Sequence, residues 1–139
     1  MEHRELPSLR GWAILVVEDD VEARDLLRRL LELLGARVFV AENGFDGLER
    51  LATLSVDAVL CDLAMPIMNG LEFARRVRRN PRFRRIPLVA VTGRQEQEDF
   101  LQTWDAGFDA HLVKPVTVEM LQSLARRFSW RSGQTRSGT

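Results

Sequence analysis

Five short apolar runs alternate with five stretches of helical period between Trp12 and Phe128, and no other feature of the chain constrains the fold as strongly. The runs are Ala13–Val17, Arg37–Ala41, Ala58–Cys61, Leu88–Val91 and Ala110–Val113. Strands that recur with a helix between each pair do not close by tight hairpins; they pair in parallel through crossover helices. The first, third and fourth runs are apolar throughout, as central strands covered on both faces require. The second is more broken and suits an edge. A length of 139 residues fits one domain. The expected class is α/β, a doubly wound five-stranded parallel sheet flanked by five helices.

The first helix carries Ala23, Leu26, Leu27, Leu30, Leu31 and Leu34 at spacings of three and four, with Arg24, Asp25, Arg28, Arg29 and Glu32 on the solvent side and Gly35 as its stop. Phe45, Leu48, Leu51 and Ala52 cue the second. Leu71, Phe73, Ala74 and Val77 mark the third, between Asn69-Gly70 and Asn80-Pro81. The fourth holds Phe100, Leu101 and Trp104 before Gly107. The fifth starts near Thr117, a plausible N-cap, and uses Met120, Leu121, Leu124, Ala125 and Phe128. Residues 1–11 read as a weakly structured leader, 12–129 as the domain and 130–139 as a flexible polar tail.

Composition removes several function classes. Twenty Lys+Arg balance twenty Asp+Glu, so no whole-molecule field draws the chain to nucleic acid or an anionic membrane. The longest apolar run, Trp12 to Val17, is too short for a membrane span or a signal-peptide core. One cysteine, Cys61, closes no intrachain disulfide, and with only His3 and His111 there is no Cys/His zinc set. A cytoplasmic, reducing location is expected. Seven Arg between Arg75 and Arg85 form a solvated face or docking rim rather than a nucleic-acid site, since no aromatic platform beyond Phe83 accompanies them.

In an open α/β sheet, ligands bind outside the carboxyl ends of the strands, near the point where strand order reverses. The first run leads into Glu18-Asp19-Asp20, the third into Asp62, the fourth into Thr92 and the fifth into Lys114-Pro115. With right-handed crossovers and the order 2-1-3-4-5, these four strands are neighbours and the second, ending in Glu42-Asn43, lies at the edge. Carboxylates so close repel unless a cation joins them. Oxygen-only ligands select a hard ion, and magnesium, which keeps several waters and bridges to phosphate, fits best. An Asp carboxylate can itself be the nucleophile of phosphoryl transfer, a reaction that needs positioning and charge neutralisation above all. Asp62 is the candidate nucleophile, Glu18 and Asp19 the candidate metal ligands, and Thr92 and Lys114 the candidate phosphoryl contacts. Asp20 alone reads as a solvated loop residue.

These residues resemble the receiver domain of two-component response regulators. The resemblance rests on Leu15-Val16-Val17-Glu18-Asp19-Asp20, on Cys61-Asp62-Leu63-Ala64-Met65-Pro66 leading to Asn69-Gly70, on Val91-Thr92-Gly93 and on Val113-Lys114-Pro115. It implies a flavodoxin-like fold of the chemotaxis-regulator type and a phosphoacceptor rather than an enzyme. Asp62 would take a phosphoryl group from a histidine kinase or phosphotransfer protein. Asp19, Asp62 and the backbone carbonyl of Ala64 would bind magnesium directly, and Glu18 mainly through water. Thr92 and Lys114 would contact the phosphoryl oxygens, with Lys114-Pro115 a cis peptide. Lys114 is the only Lys beside nineteen Arg, which fits a role needing a compact point charge.

Where the family often has Tyr or Phe at its switch position, this chain has His111, whose imidazole would follow Thr92 inward and add pH dependence near neutrality. Ala64 and Arg94 occupy positions that tune phosphoryl lifetime. The resemblance makes the fourth helix, fifth strand and fifth helix the face for a downstream protein target, in a monomer or weak dimer. Gly107 to Val116 resembles receivers attached to hybrid sensor kinases, so the chain is expected to be a stand-alone regulator or a piece of such a kinase. No phosphate-cradling glycine motif supports a nucleotide enzyme, and Ala64 stands where a dehalogenase-type phosphatase needs a second acid. The rival reading is a receiver fold that docks constitutively without phosphorylation.

Overall fold

A computed structural model describes residues 8–93 and 100–137, apart from the side chains of Phe100 and of residues 129–137. Five strands, β1 (Ala13–Val17), β2 (Arg37–Ala41), β3 (Ala58–Asp62), β4 (Leu88–Thr92) and β5 (Ala110–Val113), form one sheet. The helices are α1 (Val21–Leu33), α2 (Gly44–Thr53), α3 (Gly70–Arg79), α4 (Phe100–Ala106) and α5 (Val118–Ser137), with a 3-10 turn at Pro81–Phe83. The sheet is parallel throughout, in the order β2-β1-β3-β4-β5, so the expected doubly wound, flavodoxin-like topology stands.

The apolar runs form central strands because both of their faces are covered. Ile14, Val16, Leu60, Val89, Val91 and Leu112 pack with Leu27 and Leu31 of α1 and with Leu121, Ala125 and Phe128 of α5. Their alternates Leu15, Val17, Val59, Cys61, Leu88 and Ala90 pack on the other face with Leu51, Phe73 and Val77. The period of two along each strand sends successive side chains to opposite cores. Arg37 at the start of β2 is exposed, as an edge position allows.

Helix starts are set locally. Asp20, Asn43 and Asn69 each accept a hydrogen bond from a backbone N–H three residues on, at 2.8, 2.8 and 2.9 Å. Asp20 is therefore the N-cap of α1 and not merely a solvated loop residue. Thr117 Oγ1 accepts from Met120 N–H at 3.2 Å, at the start of α5. Within the stretch read as leader, Leu9 is 3% exposed and its N–H donates to the Leu34 carbonyl at 2.8 Å. Trp12 lies buried beside Phe128, their ring centroids 6.3 Å apart. At the other end α5 runs to Ser137, through residues that read as tail in the sequence.

Candidate functional site

Four strand ends converge at one rim of the sheet. Glu18 follows β1 directly, and its N–H donates to the Ala41 carbonyl at 3.0 Å. Asp62 closes β3 and Thr92 closes β4, both buried, while Lys114 follows β5 with its N–H donating to the Thr92 carbonyl at 2.8 Å. Glu18, Asp19 and Asp62 each place a carboxylate oxygen within 4.8 Å of the others. Lys114 Nζ lies 3.2 Å from Glu18 Oε1 and 3.7 Å from Asp62 Oδ1.

Two features suit this rim to a cation and an oxyanion. Glu18 is 1% exposed, and its pKa is pushed up to about 7, first by burial and then by hydrogen bonding and repulsion from Asp62. The Asp20 N–H and Lys114 pull it down, but by less. Thr92 Oγ1 is fully buried with no hydrogen-bond partner among the described residues, a state that costs about 1–3 kcal/mol. A hard cation among the carboxylates and an oxyanion against the hydroxyl would relieve both. The donor set is all oxygen, which fits magnesium.

Neighbouring backbone holds the rim in place. Ala64 N–H lies 3.4 Å from Asp62 Oδ1, and the Lys114–Pro115 peptide is cis. The loop after Asp62 is tightened by a bond from Met68 N–H to the Pro66 carbonyl at 2.7 Å, with Ile67 between them at φ 70°. Gly70 begins α3 hard against the acceptor: a Cβ there would lie 2.6 Å from the Asp62 carbonyl oxygen and 2.8 Å from Leu63 Cα. Only glycine permits that approach.

Glu18, Asp19, Asp62, Thr92 and Lys114 thus stand at one place. His111 faces α4 instead: its Nε2 shares a hydrogen bond with Thr103 Oγ1, and its ring meets Trp104 edge-on at 4.8 Å. Burial lowers its pKa below the usual 6.5. Arg94 lies outside the described residues. Sequence reasoning missed Arg24, put on the solvent face of α1, whose Nη1 donates to the Glu18 carbonyl at 3.0 Å. It also read Gly70 only as part of a helix start.

A 2-1-3-4-5 parallel sheet with three carboxylates, a hydroxyl and an ammonium on adjacent strand ends defines a class of signalling module. Residues 14–126 match the family described as the response regulator receiver domain, and the chain belongs to that family, the receivers of two-component signalling. It is 39% identical over 123 residues to a 14.6 kDa protein from the sodA1 3' region of Leptolyngbya boryana, covering 88% of this chain and 94% of that one. It is 34% identical over 122 residues to the sensor histidine kinase CheAY of Helicobacter pylori, covering 86% of this chain and 15% of the kinase. With the KDP operon transcriptional regulatory protein KdpE of Escherichia coli it shares 37% over 113 residues, 81% of this chain and 49% of the regulator. The chain therefore spans only a part of those two longer relatives.

Among solved structures, the receiver domain of sensor histidine kinase PA1611 of Pseudomonas aeruginosa superposes with a TM-score of 0.78 at 30% identity, covering 85% of this chain and 97% of that one. That structure has a magnesium ion coordinated in its active-site cleft. A response regulator from Chloroflexus aurantiacus gives a TM-score of 0.81 at 24% identity over 86% of this chain and 98% of that one, which bears on the fold alone. Among the described residues no helix is long and apolar enough to cross a membrane.

Proposed function

We propose that this receiver is a phosphorylation-dependent switch with Asp62 as the phosphoacceptor. The observation that carries the reading is the convergence on Asp62 of two further carboxylates, the Lys114 ammonium and, on the next strand, a buried hydroxyl with no partner among the described residues. A carboxylate oxygen of Asp62 attacks the phosphorus of a phosphohistidine on a histidine kinase or phosphotransfer protein. The P–N bond breaks and its electron pair leaves with the imidazole, which takes up a proton. Lys114 sits close enough to both Glu18 and Asp62 to turn from the carboxylates toward the incoming phosphoryl oxygens. The Thr92 hydroxyl then gains the acceptor it lacks.

Asp19, Asp62 and the Ala64 carbonyl, with Glu18 through water, are the groups that would hold magnesium, which supplies charge neutralisation at the transferring phosphoryl group. The magnesium seen in the PA1611 receiver supports that assignment. Once Thr92 is drawn to the phosphoryl oxygens, β4 is pulled relative to α4, and the population shifts toward a second arrangement of the face formed by α4, β5 and α5. Leu101 and Trp104 leave apolar surface there, 80% and 47% exposed, for a downstream protein target. The protein works in the cytoplasm as a monomer or weak dimer.

Intact-protein mass spectrometry after incubation with a small phosphodonor tests the reading. A magnesium-dependent gain of one phosphoryl group, absent in Asp62→Asn and strongly reduced in Lys114→Ala, is expected. No gain under conditions that label another receiver would favour constitutive docking by the unmodified surface.

A further inference from the structure

We infer that Arg24 is a positioning residue for the metal-binding loop, acting through the Glu18 backbone; the inference rests on the reading of Glu18, Asp19 and Asp62 as a magnesium site. The β1–α1 loop carries two of the three carboxylates on a short stretch of chain between the last residue of β1 and the first of α1. Apart from the helical bond from Arg24 N–H to the Asp20 carbonyl at 2.9 Å and the side-chain contacts of Glu18 with Lys114 and Asp62, four hydrogen bonds tie it among the described residues. Glu18 N–H donates to Ala41 of β2, Asp20 N–H donates to Glu18 Oε2 at 3.2 Å, and Asp20 caps α1 through the Ala23 N–H. The fourth tie is the Arg24 guanidinium, which reaches back from the first turn of α1 to the Glu18 carbonyl at 3.0 Å.

The first three ties hold the N–H side of the loop and the helix start. Among the described residues it is the fourth that holds the Glu18–Asp19 peptide, since the Glu18 carbonyl oxygen belongs to it. Its orientation decides where the Asp19 side chain starts. Asp19 itself is exposed, so packing does not fix it. A hard ion demands near-ideal ligand geometry, and the groups that orient its ligands commonly govern affinity as strongly as the ligands do. Arg24 acts by geometry here: the charges that displace the Glu18 pKa are those of Asp62 and Lys114.

The sign of one measurement separates this role from a purely electrostatic one. Removing a cation near three carboxylates tightens binding of a dication by Coulomb attraction alone. Removing a positioning group weakens it. The test is a magnesium titration read by melting temperature and by calorimetry, on the parent, Arg24→Met, which keeps the aliphatic stem, and Arg24→Lys. Expected are about tenfold weaker magnesium binding in Arg24→Met and partial recovery in Arg24→Lys, with cooperative melting retained in both. Unchanged or tighter binding in Arg24→Met overturns the inference and leaves the magnesium site standing. If Arg24→Met does not fold, parent-like affinity in Arg24→Lys, whose shorter single-headed side chain would remake the bond only in part, overturns it equally. A parent with no saturable magnesium response overturns the magnesium site and this inference together.

Discussion

Gly70 and Gly44 are both buried glycines at helix starts, and they differ in what a methyl group would strike. At Gly70 the obstacle is backbone, the Asp62 carbonyl oxygen and Leu63 Cα, neither of which can move without displacing the acceptor strand. At Gly44 it is Met68 Sδ at 2.6 Å, the far part of a flexible side chain. Gly70→Ala is expected to destabilise the protein by about 1–3 kcal/mol in urea denaturation and to slow phosphorylation of Asp62. Gly44→Ala is expected to cost less and to leave phosphorylation unchanged. Equal effects would show that the approach of α3 to Asp62 carries no special constraint. The sequence shows an Asn-Gly helix start at 69–70; that the glycine faces Asp62 depends on β3 and α3 meeting in space.

Between elements, Arg78 joins α3 to two loops at the end of the sheet away from the acid cluster. Its guanidinium donates to the carbonyls of Phe83, Arg84, Ile86 and Gly107 and pairs with Asp109 at 2.9 Å. Asp109 in turn accepts from Leu88 N–H at 2.9 Å, fixing the start of β4. Arg78→Met strands several of these acceptors and is expected to cost about 3 kcal/mol by chemical denaturation. Asp109→Asn, which retains an acceptor for Leu88, is expected to cost less.

His111 links β5 to α4 and offers a pH test. Its folded pKa is depressed by burial, so the unfolded chain takes up the proton first. Stability from this group is full above the unfolded value of 6.5 and is lost as pH falls through the folded value. His111→Phe removes the hydrogen bond between His111 and Thr103 at every pH, which is a constant offset. Its melting temperature is therefore expected to approach that of the parent as pH falls from about 7 to about 5. A gap independent of pH would refute the assignment.

For the molecule as a whole, the acid cluster ties folding, pH and metal together. Glu18 has the opposite sign to His111: its folded pKa of about 7 exceeds the ordinary 4.5, so in the metal-free protein the folded state holds a proton that the unfolded chain has released. Stability from Glu18 is full below about 4.5 and falls as pH rises toward about 7. A cation bound by the same carboxylates displaces that proton. The rise in melting temperature on adding magnesium is therefore expected to grow between about pH 5 and about pH 8, and Glu18→Gln is expected to flatten that growth. A magnesium effect equal at both ends would rule out competition between proton and metal.

The sequence by itself determined what depends on near neighbours and on pattern. Apolar runs became central strands, the cap read at Thr117 is made there, and Glu18, Asp62, Thr92 and Lys114 stood out because each ends a run. These are legible because strand and helix periods and capping act over a few residues. Tertiary structure decided the rest. Leu9 looked like leader but fills the core beside the end of α1, and Arg24 looked solvated but turns back to Glu18. Likewise His111 bonds to Thr103 of α4, and Arg78, one of seven similar arginines, is the one that reaches Asp109. Amphipathic period gives the face a residue occupies, whereas a long polar side chain chooses its partner only after helices pack, when distant carbonyls and carboxylates come within reach and lose their water.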